Sequence, residues 1–447
     1  MKKILIANRG EIALRIMKTC KEMNIETVAV YSDADKDLPF VKAADYAVHI
    51  GESPVAKSYL QSDAILEAAI LHKVDAVHPG YGLLSENDEF AKKIENAGIK
   101  FIGPSPQTIE WMGDKIMARK TMQQASVPIV PGTIEPIEDV EEAVKLAEKI
   151  GYPVMLKASS GGGGIGMVKC LNEEDLHKHF ISSQQRAKNY FGSGRMFIEK
   201  CIENARHIEV QIMGDNQGNI VHLFERDCSI QRRNQKVVEE SPSPFLTEDL
   251  RKSITAAAVD AAKAVDYVNA GTVEFVVSET GEFYFLEMNT RLQVEHPVTE
   301  SITGVDLVRW QLQVANGEAL PLTQDEIVSK GHAIEFRLYA EDPVTFFPSP
   351  GKIEELVWPQ MEHVRIDLGY EKGNQVTPFY DPMIAKIIVS DFTREGCINK
   401  AVQFFNEIEI TGLKTNTALF QKLLIEEDFK KGNYTTDFLL KKSVSKP

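Results

Sequence analysis

Short apolar blocks alternate with amphipathic stretches along the N-terminal part of the chain. KILIA (3–7) is a solid apolar run of strand length. Residues 11–23 carry apolar side chains at 12, 13, 16, 20 and 23, the spacing of one helical face. ETVAVY (26–31) predicts a second strand, ending near Asp33, and DAVH (75–78) and KFIG (100–103) predict two more. Helices are predicted over 61–72 and 85–97, the latter with Ser85 as its N-cap. Alternation of this kind builds a parallel, doubly wound sheet. Pro104 and Pro106 break the pattern. A helix is then predicted from Asp114, followed by the loop VPIVPG (127–132), a helix over 138–150, and strands at 153–158 and 166–170 around a glycine-rich loop. Residues 207–289 read as mostly β, with turns at DNQGN (215–219) and SETGE (278–282). After Gly317 a third segment begins: a strand within GHAIEFRLYAED (331–342), a rigid turn at FFPSPG (346–351), then short strands and a helix near 394–407.

A chain of 447 residues corresponds to about three domains. With 43% hydrophobic and 26% charged residues it reads as globular rather than disordered. Fifty basic against 65 acidic residues leave a net charge of −15, which disfavours general nucleic-acid binding. No apolar run reaches the roughly 18 residues of a membrane span. MKKILIANRGE has too short an apolar stretch for a signal peptide, so a cytoplasmic protein without membrane contact is expected. The five cysteines, Cys20, Cys170, Cys201, Cys228 and Cys397, are scattered without a CxxC and read as buried reduced thiols.

The loop KASSGGGGIGM (157–167) formally matches GxGxxG, but a strand follows it instead of a helix, so it is not a dinucleotide fingerprint. No GK[ST] follows either. Strand, glycine loop, strand is the arrangement of a flap whose backbone amides close over phosphates, although an exposed Gly/Ser hairpin would fit the same residues. Lys157 interrupts the apolar run Val154-Met155-Leu156, where a charge needs a partner, and a polyphosphate would supply one.

GTVEFVVSETGEFYFLEMNTR (271–291) reads as a hairpin. A turn centred between Thr280 and Gly281 sets Glu274 directly opposite Glu287, with Asn289 on the same face and Arg291 continuing it if the strand extends. Two facing carboxylates repel unless compensated, and a hard divalent cation on oxygen ligands compensates them. Phe275, Phe283 and Phe285 argue that the hairpin is buried rather than a wet face. Flap, intruding lysine and facing glutamates together point to Mg-ATP. TRLQVEHPVTE (290–300) then brings Arg291, Gln293, Glu295 and His296 behind the phosphate site, and ERDCSIQRRNQK (225–236) adds Arg226, Arg232, Arg233 and Lys236. A guanidinium can grip a planar oxyanion such as bicarbonate or a carboxylate, and Glu295 could act there as a base. A structural hydrogen bond is the role read for His296.

These motifs closely resemble the biotin carboxylases of bacterial acetyl-CoA carboxylases, members of the ATP-grasp superfamily. The likeness runs essentially end to end through IANRGEIALRI (6–16), HPGYGLLSEN (78–87), FIGPSP (101–106), MGDK (112–115), RHIEVQ (206–211), EMNTRLQVEHPVTE (287–300) and YDPMIAK (380–386), besides the segments above. The resemblance implies an α/β and α+β multidomain fold. Its parts are a Rossmann-like N-terminal domain (1–112), an ATP-grasp domain (113–325) with a mobile lid at about 130–203, and a mixed α/β C-terminal domain (326–447). It implies that Lys115 and Lys157 contact ATP phosphates and that Gly163 and Gly164 belong to the flap. By the same resemblance, Glu199, Lys200 and Ile202 would border the adenine, with His207, Gln231 and Asn234 near the ribose or base. Glu274, Glu287 and Asn289 would hold magnesium or manganese. Lys236, Arg291, Gln293 and Val294 would surround bicarbonate, with Glu295 as base, while Arg337 would face biotin and Tyr81 would wall its pocket. Two positions depart from the pattern: Asn234 stands where histidine is common, and Ile165 where many relatives carry a basic residue.

The reaction implied is ATP- and bicarbonate-dependent carboxylation of biotin through carboxyphosphate. No AMKM-like biotinylation site is found, so biotin is expected on a separate biotin carboxyl carrier protein, with carboxyltransferase subunits using the product and a homodimer as the assembly. A carboxylate–amine ligase of the same superfamily and a non-catalytic nucleotide sensor are the competing readings. The first differs in the pocket around Arg337 and Tyr81, and the second has no need of Glu295.

Overall fold

The computed structural model describes residues 1–159 and 167–444. The N-terminal strands Lys3–Ile6, Glu26–Ser32, Tyr46–Gly51, Ala76–His78 and Lys100–Phe101 form one parallel sheet. Its spatial order starts at Tyr46–Gly51 and runs through Glu26–Ser32, Lys3–Ile6 and Ala76–His78 to Lys100–Phe101. The 46–51 strand escapes a reading based on apolar alternation because it is mostly exposed. The first helix, Gly10–Glu22, buries Ile12, Ala13, Ile16 and Cys20 as the spacing predicts. The helix expected over 85–97 starts later, at Asp88. Its cap is Asn87, not Ser85: the Asn87 side chain accepts from the Phe90 N–H at 2.7 Å. Asp114 caps Lys115–Gln124 in the same way.

Strands Met167–Cys170, Val154–Ala158 and Met196–Lys200 form a small antiparallel sheet. Helices Val140–Ile150 and Glu173–Phe191 cover it, and the unit has its own apolar cluster around Val154, Leu156, Leu176, Phe180 and Ile198. The Glu173–Phe191 helix is not marked in the sequence reading.

The remaining strands build one eight-stranded sheet that crosses position 326. Its order is Phe283–Asn289, Asn269–Val277, Arg206–Gly214, Ile220–Arg232, Gln235–Ser241, His332–Tyr339, Met383–Asp391 and Val364–Leu368. The pairing of Val238 with Phe336 and Glu240 with Ile334 joins the central and C-terminal segments. The 207–289 stretch is not β throughout: Glu248–Lys263 is a helix, capped by Thr247, with Ile254, Ala258, Ala261 and Ala262 buried. Its buried face is mostly alanine, with Ile254 the one long aliphatic side chain in it, and this blurs the apolar stripe. All five cysteines are free thiols, four of them buried and Cys201 half-buried. Among the described residues no helix is long and apolar enough to cross a membrane.

Candidate active site

The hairpin that matters most reaches the expected register by another route. Its turn is a three-residue loop, Glu279-Thr280-Gly281, with the Gly281 N–H donating to Ser278 and the Ser278 N–H donating to Glu282. Gly281 adopts φ +87°, the left-handed conformation that closes such loops. This places Phe275 opposite Phe285. Leu286 is then an extra residue, a bulge, after which Glu274 does face Glu287 and Thr272 faces Asn289. Phe275 and Phe285 are fully buried, as the aromatic flanks suggested.

On the other side of Glu274 lies Glu209, in Arg206–Gly214. Three carboxylates therefore run in a row across three strands: Glu209, Glu274, Glu287. Cations interleave them. Lys236 Nζ lies 2.5 Å from Glu209 Oε2, 2.8 Å from Glu274 Oε1 and 2.7 Å from Glu295 Oε1. Lys115 Nζ donates to Glu287 Oε2 at 2.6 Å. His207 Nε2 meets Glu274 Oε2 at 2.7 Å, and Gln231 Nε2 meets His207 Nδ1 at 2.8 Å. Asn289 Nδ2 and Gln293 Nε2 each donate to Glu274 Oε1 at 2.8 Å.

Burial opposes the charge of Glu274, but Lys236 and His207 outweigh it and hold its carboxyl well below the usual range. Lys115 lowers Glu287. Burial opposes the ammonium charge of Lys236 as well, yet its three carboxylate neighbours raise it well above an ordinary lysine. Two facing carboxylates and the Asn289 amide form the hard oxygen set that suits Mg²⁺ or Mn²⁺. His207, Glu209 and Glu274 also bring ligand atoms within 4.8 Å of one another.

Glu295 is fully buried at the end of this row. Beside Lys236, it accepts from Arg337 Nη2 at 2.9 Å. Burial works to raise its pKa, but Lys236, Arg337 and Arg226 prevail and keep it well below the ordinary value. Arg291, expected to continue the strand face, follows the strand end at Asn289. Its Nε donates to Glu86 at 2.8 Å and its Nη2 to Asn289 Oδ1 at 2.9 Å. His296 Nδ1 meets the Gln293 carbonyl at 2.8 Å and the ring is buried, the structural role read for it.

Beside these groups lies a cavity of about 1120 Å³, larger than most small-ligand pockets. Lys115, Lys157, Glu199, Lys200, Ile202, His207, Gln231 and Asn234 line it, as do Lys236, Glu274, Glu287, Asn289, Arg291, Gln293, Val294, Arg337 and Tyr81. Glu295 and Glu209 lie behind that lining. Gly163, Gly164 and Ile165 lie outside the described residues. Lys157 finds the partner its buried position demands in Glu199, which also binds Arg119 at 3.0 Å. The Lys200 ammonium caps the Gly151 and Tyr152 carbonyls at 2.7 and 3.1 Å. Asn234 has φ +63° and Arg233 φ +50°, so the pair forms the tight turn joining Arg232 to Gln235.

Of the basic cluster 226–236, only Lys236 reaches the cavity. Arg226 is fully buried with its Nε 2.6 Å from Glu209, Arg232 pairs with Glu341, and Arg233 sits over the Phe347 ring. Sequence reasoning also missed Glu209, Glu86 and Glu239. Glu209 had a signal: the one acid in IEVQIM, alternating with apolar residues and two residues from His207, thus on its face.

Three family profiles cover most of the chain: the biotin carboxylase N-terminal domain over residues 1–109, the carbamoyl-phosphate synthase L chain ATP-binding domain over 114–323, and the biotin carboxylase C-terminal domain over 335–441. The chain is 58% identical to a biotin carboxylase of Halalkalibacterium halodurans, over 98% of this chain and 97% of that one. It is 56% identical to biotin carboxylase 2 of Bacillus subtilis, over 98% of each chain. A similar solved structure is the biotin carboxylase domain dimer of Hydrogenobacter thermophilus 2-oxoglutarate carboxylase with MgADP, ADP and bicarbonate. It has a TM-score of 0.96 and 47% identity, over 98% of this chain and 97% of that one.

Proposed function

The chain belongs to the biotin carboxylase family of ATP-dependent enzymes, and from that premise we propose that it carboxylates biotin with ATP and bicarbonate. The observation that carries the reading is Glu295, an ionised carboxylate fully buried between Lys236 and Arg337 at the end of the acidic row. A nucleotide sensor has no use for such a group.

Residues 130–203 act as the lid of an ATP-grasp domain spanning 113–325, between a 1–112 domain and a 326–447 domain. Lys115 and Lys157 bind the phosphates, with Gly163 and Gly164 as further nucleotide-binding residues. Glu199, Lys200 and Ile202 border the base, with His207, Gln231 and Asn234 beside the ribose. Glu274, Glu287 and Asn289 would hold Mg²⁺ or Mn²⁺, which would supply positive charge to neutralise the phosphates.

Lys236 and Arg291 hold bicarbonate beside Gln293 and Val294, with Glu86 orienting the Arg291 guanidinium. Glu295 takes the bicarbonate proton on its carboxylate. The oxyanion attacks the γ-phosphorus, ADP leaves, and carboxyphosphate breaks into CO₂ and phosphate. That phosphate accepts the N1 proton of biotin, and N1 bonds to CO₂. On gaining its proton Glu295 loosens its hold on the Arg337 Nη2, while Glu239, 2.7 Å from the Arg337 Nε, keeps the guanidinium in place to stabilise the ureido oxygen against the Tyr81 wall.

ADP release measured with and without bicarbonate and free biotin tests the reading. Dependence on both is expected; dependence on an amine supports a ligase, and no turnover a sensor. Arg291→Ala should lower kcat by about 10²-fold or more, the scale of one lost preorganised donor. A kcat within a few-fold of wild type contradicts its role. Asn234→Gly keeps the left-handed turn but removes the carboxamide. The KM for ATP should rise by roughly three- to ten-fold, the worth of about one hydrogen bond. An unchanged KM removes Asn234 from the nucleotide site.

We assign the chain to a homodimer in the cytoplasm, served by a biotin carboxyl carrier protein and carboxyltransferase subunits. Acetyl-CoA is the acceptor we assign to the assembly. Carboxylation of acetyl-CoA against other acceptors by the reconstituted complex tests that choice.

A further inference from the structure

Lys386 has no place in the chemistry above, yet it is fully buried at its centre. It lies in strand Met383–Asp391 directly opposite Arg337, and directly opposed side chains share a face. Its Nζ donates to the Val294 carbonyl at 2.8 Å. It is 3.1 Å from Glu11 Oε2, 3.9 Å from Asp367 Oδ2, and 5.9 Å from the centroid of the Tyr81 ring. One ammonium therefore touches the first turn of the N-terminal helix and the turn that carries Glu295, beside the presumed acceptor wall.

Asp367 is already gripped by Arg365 through two hydrogen bonds of 2.8 and 2.7 Å. Glu11 is the nearest carboxylate to Lys386, and the buried Glu335 carboxyl also feels its charge. The Glu11 oxygens are buried and no donor is aligned on them, so the contact is between charges only. Burial, opposed by Lys386, pushes the Glu11 carboxyl up to about 7. Glu11 is seated tightly: a Cβ on Gly369 would stand 3.2 Å from its backbone nitrogen.

A fixed carbonyl fixes its whole peptide plane. Holding the Val294 oxygen thus fixes the Val294–Glu295 peptide plane and with it the Cα from which the Glu295 side chain departs. We propose that Lys386, with Glu11 as its counter-charge, is a positioning residue for the bicarbonate site, holding the Gln293-Val294-Glu295 turn against Arg337. The proposal rests on the biotin carboxylase reading. It deepens that reading by adding a support on the far side of the turn from the nucleotide. The competing possibility is an ion pair that only ties the N-terminal and C-terminal segments together.

Substrate dependence separates the two. Lys386→Met in the full chain should raise the KM for bicarbonate by about ten-fold and leave the KM for ATP within about two-fold, because the nucleotide residues are not on this turn. Glu11→Gln should move the bicarbonate KM in the same direction by a smaller factor. The double variant Lys386→Met/Glu11→Gln should be no worse than Lys386→Met, as expected of residues acting as one unit. The double variant leaves no unpaired buried charge, so it carries the same measurement if Lys386→Met fails to fold. A wild type that releases ADP only with bicarbonate, with variants whose bicarbonate KM is unmoved, overturns this proposal alone. So does a parallel rise in both KM values, the mark of a tie without positional role. A wild type indifferent to bicarbonate overturns the functional reading as well.

Discussion

Glu295→Gln should lower bicarbonate-dependent ADP release by about 10³-fold or more while ATP binding persists, the upper part of the range for removal of a positioned base. The amide keeps the shape of the side chain and one acceptor oxygen, so the loss reports the missing charge and proton acceptor. In the free enzyme Lys236, Arg337 and Arg226 overcome burial and hold this carboxyl well below the ordinary glutamate value. It is ionised and ready throughout the neutral range. A strongly acidic group is a poor base, and the geometry supplies the remedy. In the proposed reaction, bicarbonate bound between Arg291 and Lys236 would bring a second anion that shares Lys236, and a neighbouring like charge raises a carboxyl pKa. The acid limb of kcat/KM, expressed per bicarbonate present, should accordingly lie below the usual glutamate range. ATP-dependent turnover in Glu295→Gln within about ten-fold of wild type would remove this residue from the proton transfer.

Lys236→Met should be costly twice. Activity should fall by about 10²- to 10³-fold through loss of a charge that faces both bicarbonate and the transferred phosphoryl group. Stability should fall by about 3–5 kcal/mol, because one partner of a buried ionic network is removed and the others remain. The ones left behind are Glu209, Glu274 and Glu295, all buried and all within 2.8 Å of the lost ammonium. Glu274 and Glu295, held well below the ordinary value in the wild type, lose the largest of the charges that hold them there. Carboxyls of depressed pKa contribute stability that is present above the unfolded pKa and lost as pH falls through the folded pKa. The deficit in Tm should therefore be largest at neutral pH and shrink as pH falls below about 4. A deficit independent of pH would mean that the carboxylates are not competing for this lysine.

Much of this site can be read from the sequence, and the exceptions have physical causes. Glu274 and Glu287 are found because period-two alternation and a turn suffice to pair them. The pairing survives an error in the turn only because the Leu286 bulge restores the lost residue. Bulges leave no composition signal, so a register can be right for the wrong loop. Glu295, Lys236 and Arg337 come from three separate strands or turns, and no periodicity joins them. Their grouping rests on family likeness, and the structure brings all three into direct contact. Arg226 and Arg232 show the opposite limit: a basic run looks like an anion site until buried glutamates claim its members. The Glu173–Phe191 helix and the Tyr46–Gly51 strand were missed because each puts much of its surface in water. Lys386 was missed because a lone lysine in an apolar strand announces burial but not its partner.

In the proposed reaction an oxygen of bicarbonate, freed of its proton at Glu295, bonds to the γ-phosphorus of ATP in this cavity. Turnover with ¹⁸O-labelled bicarbonate, ATP and free biotin tests it most directly, read as the isotope content of the phosphate released. The account predicts phosphate carrying one ¹⁸O from bicarbonate, formed together with ADP and carboxybiotin. Unlabelled phosphate released at the rate of carboxybiotin formation would show water, not bicarbonate, as the attacking group, and would contradict the account.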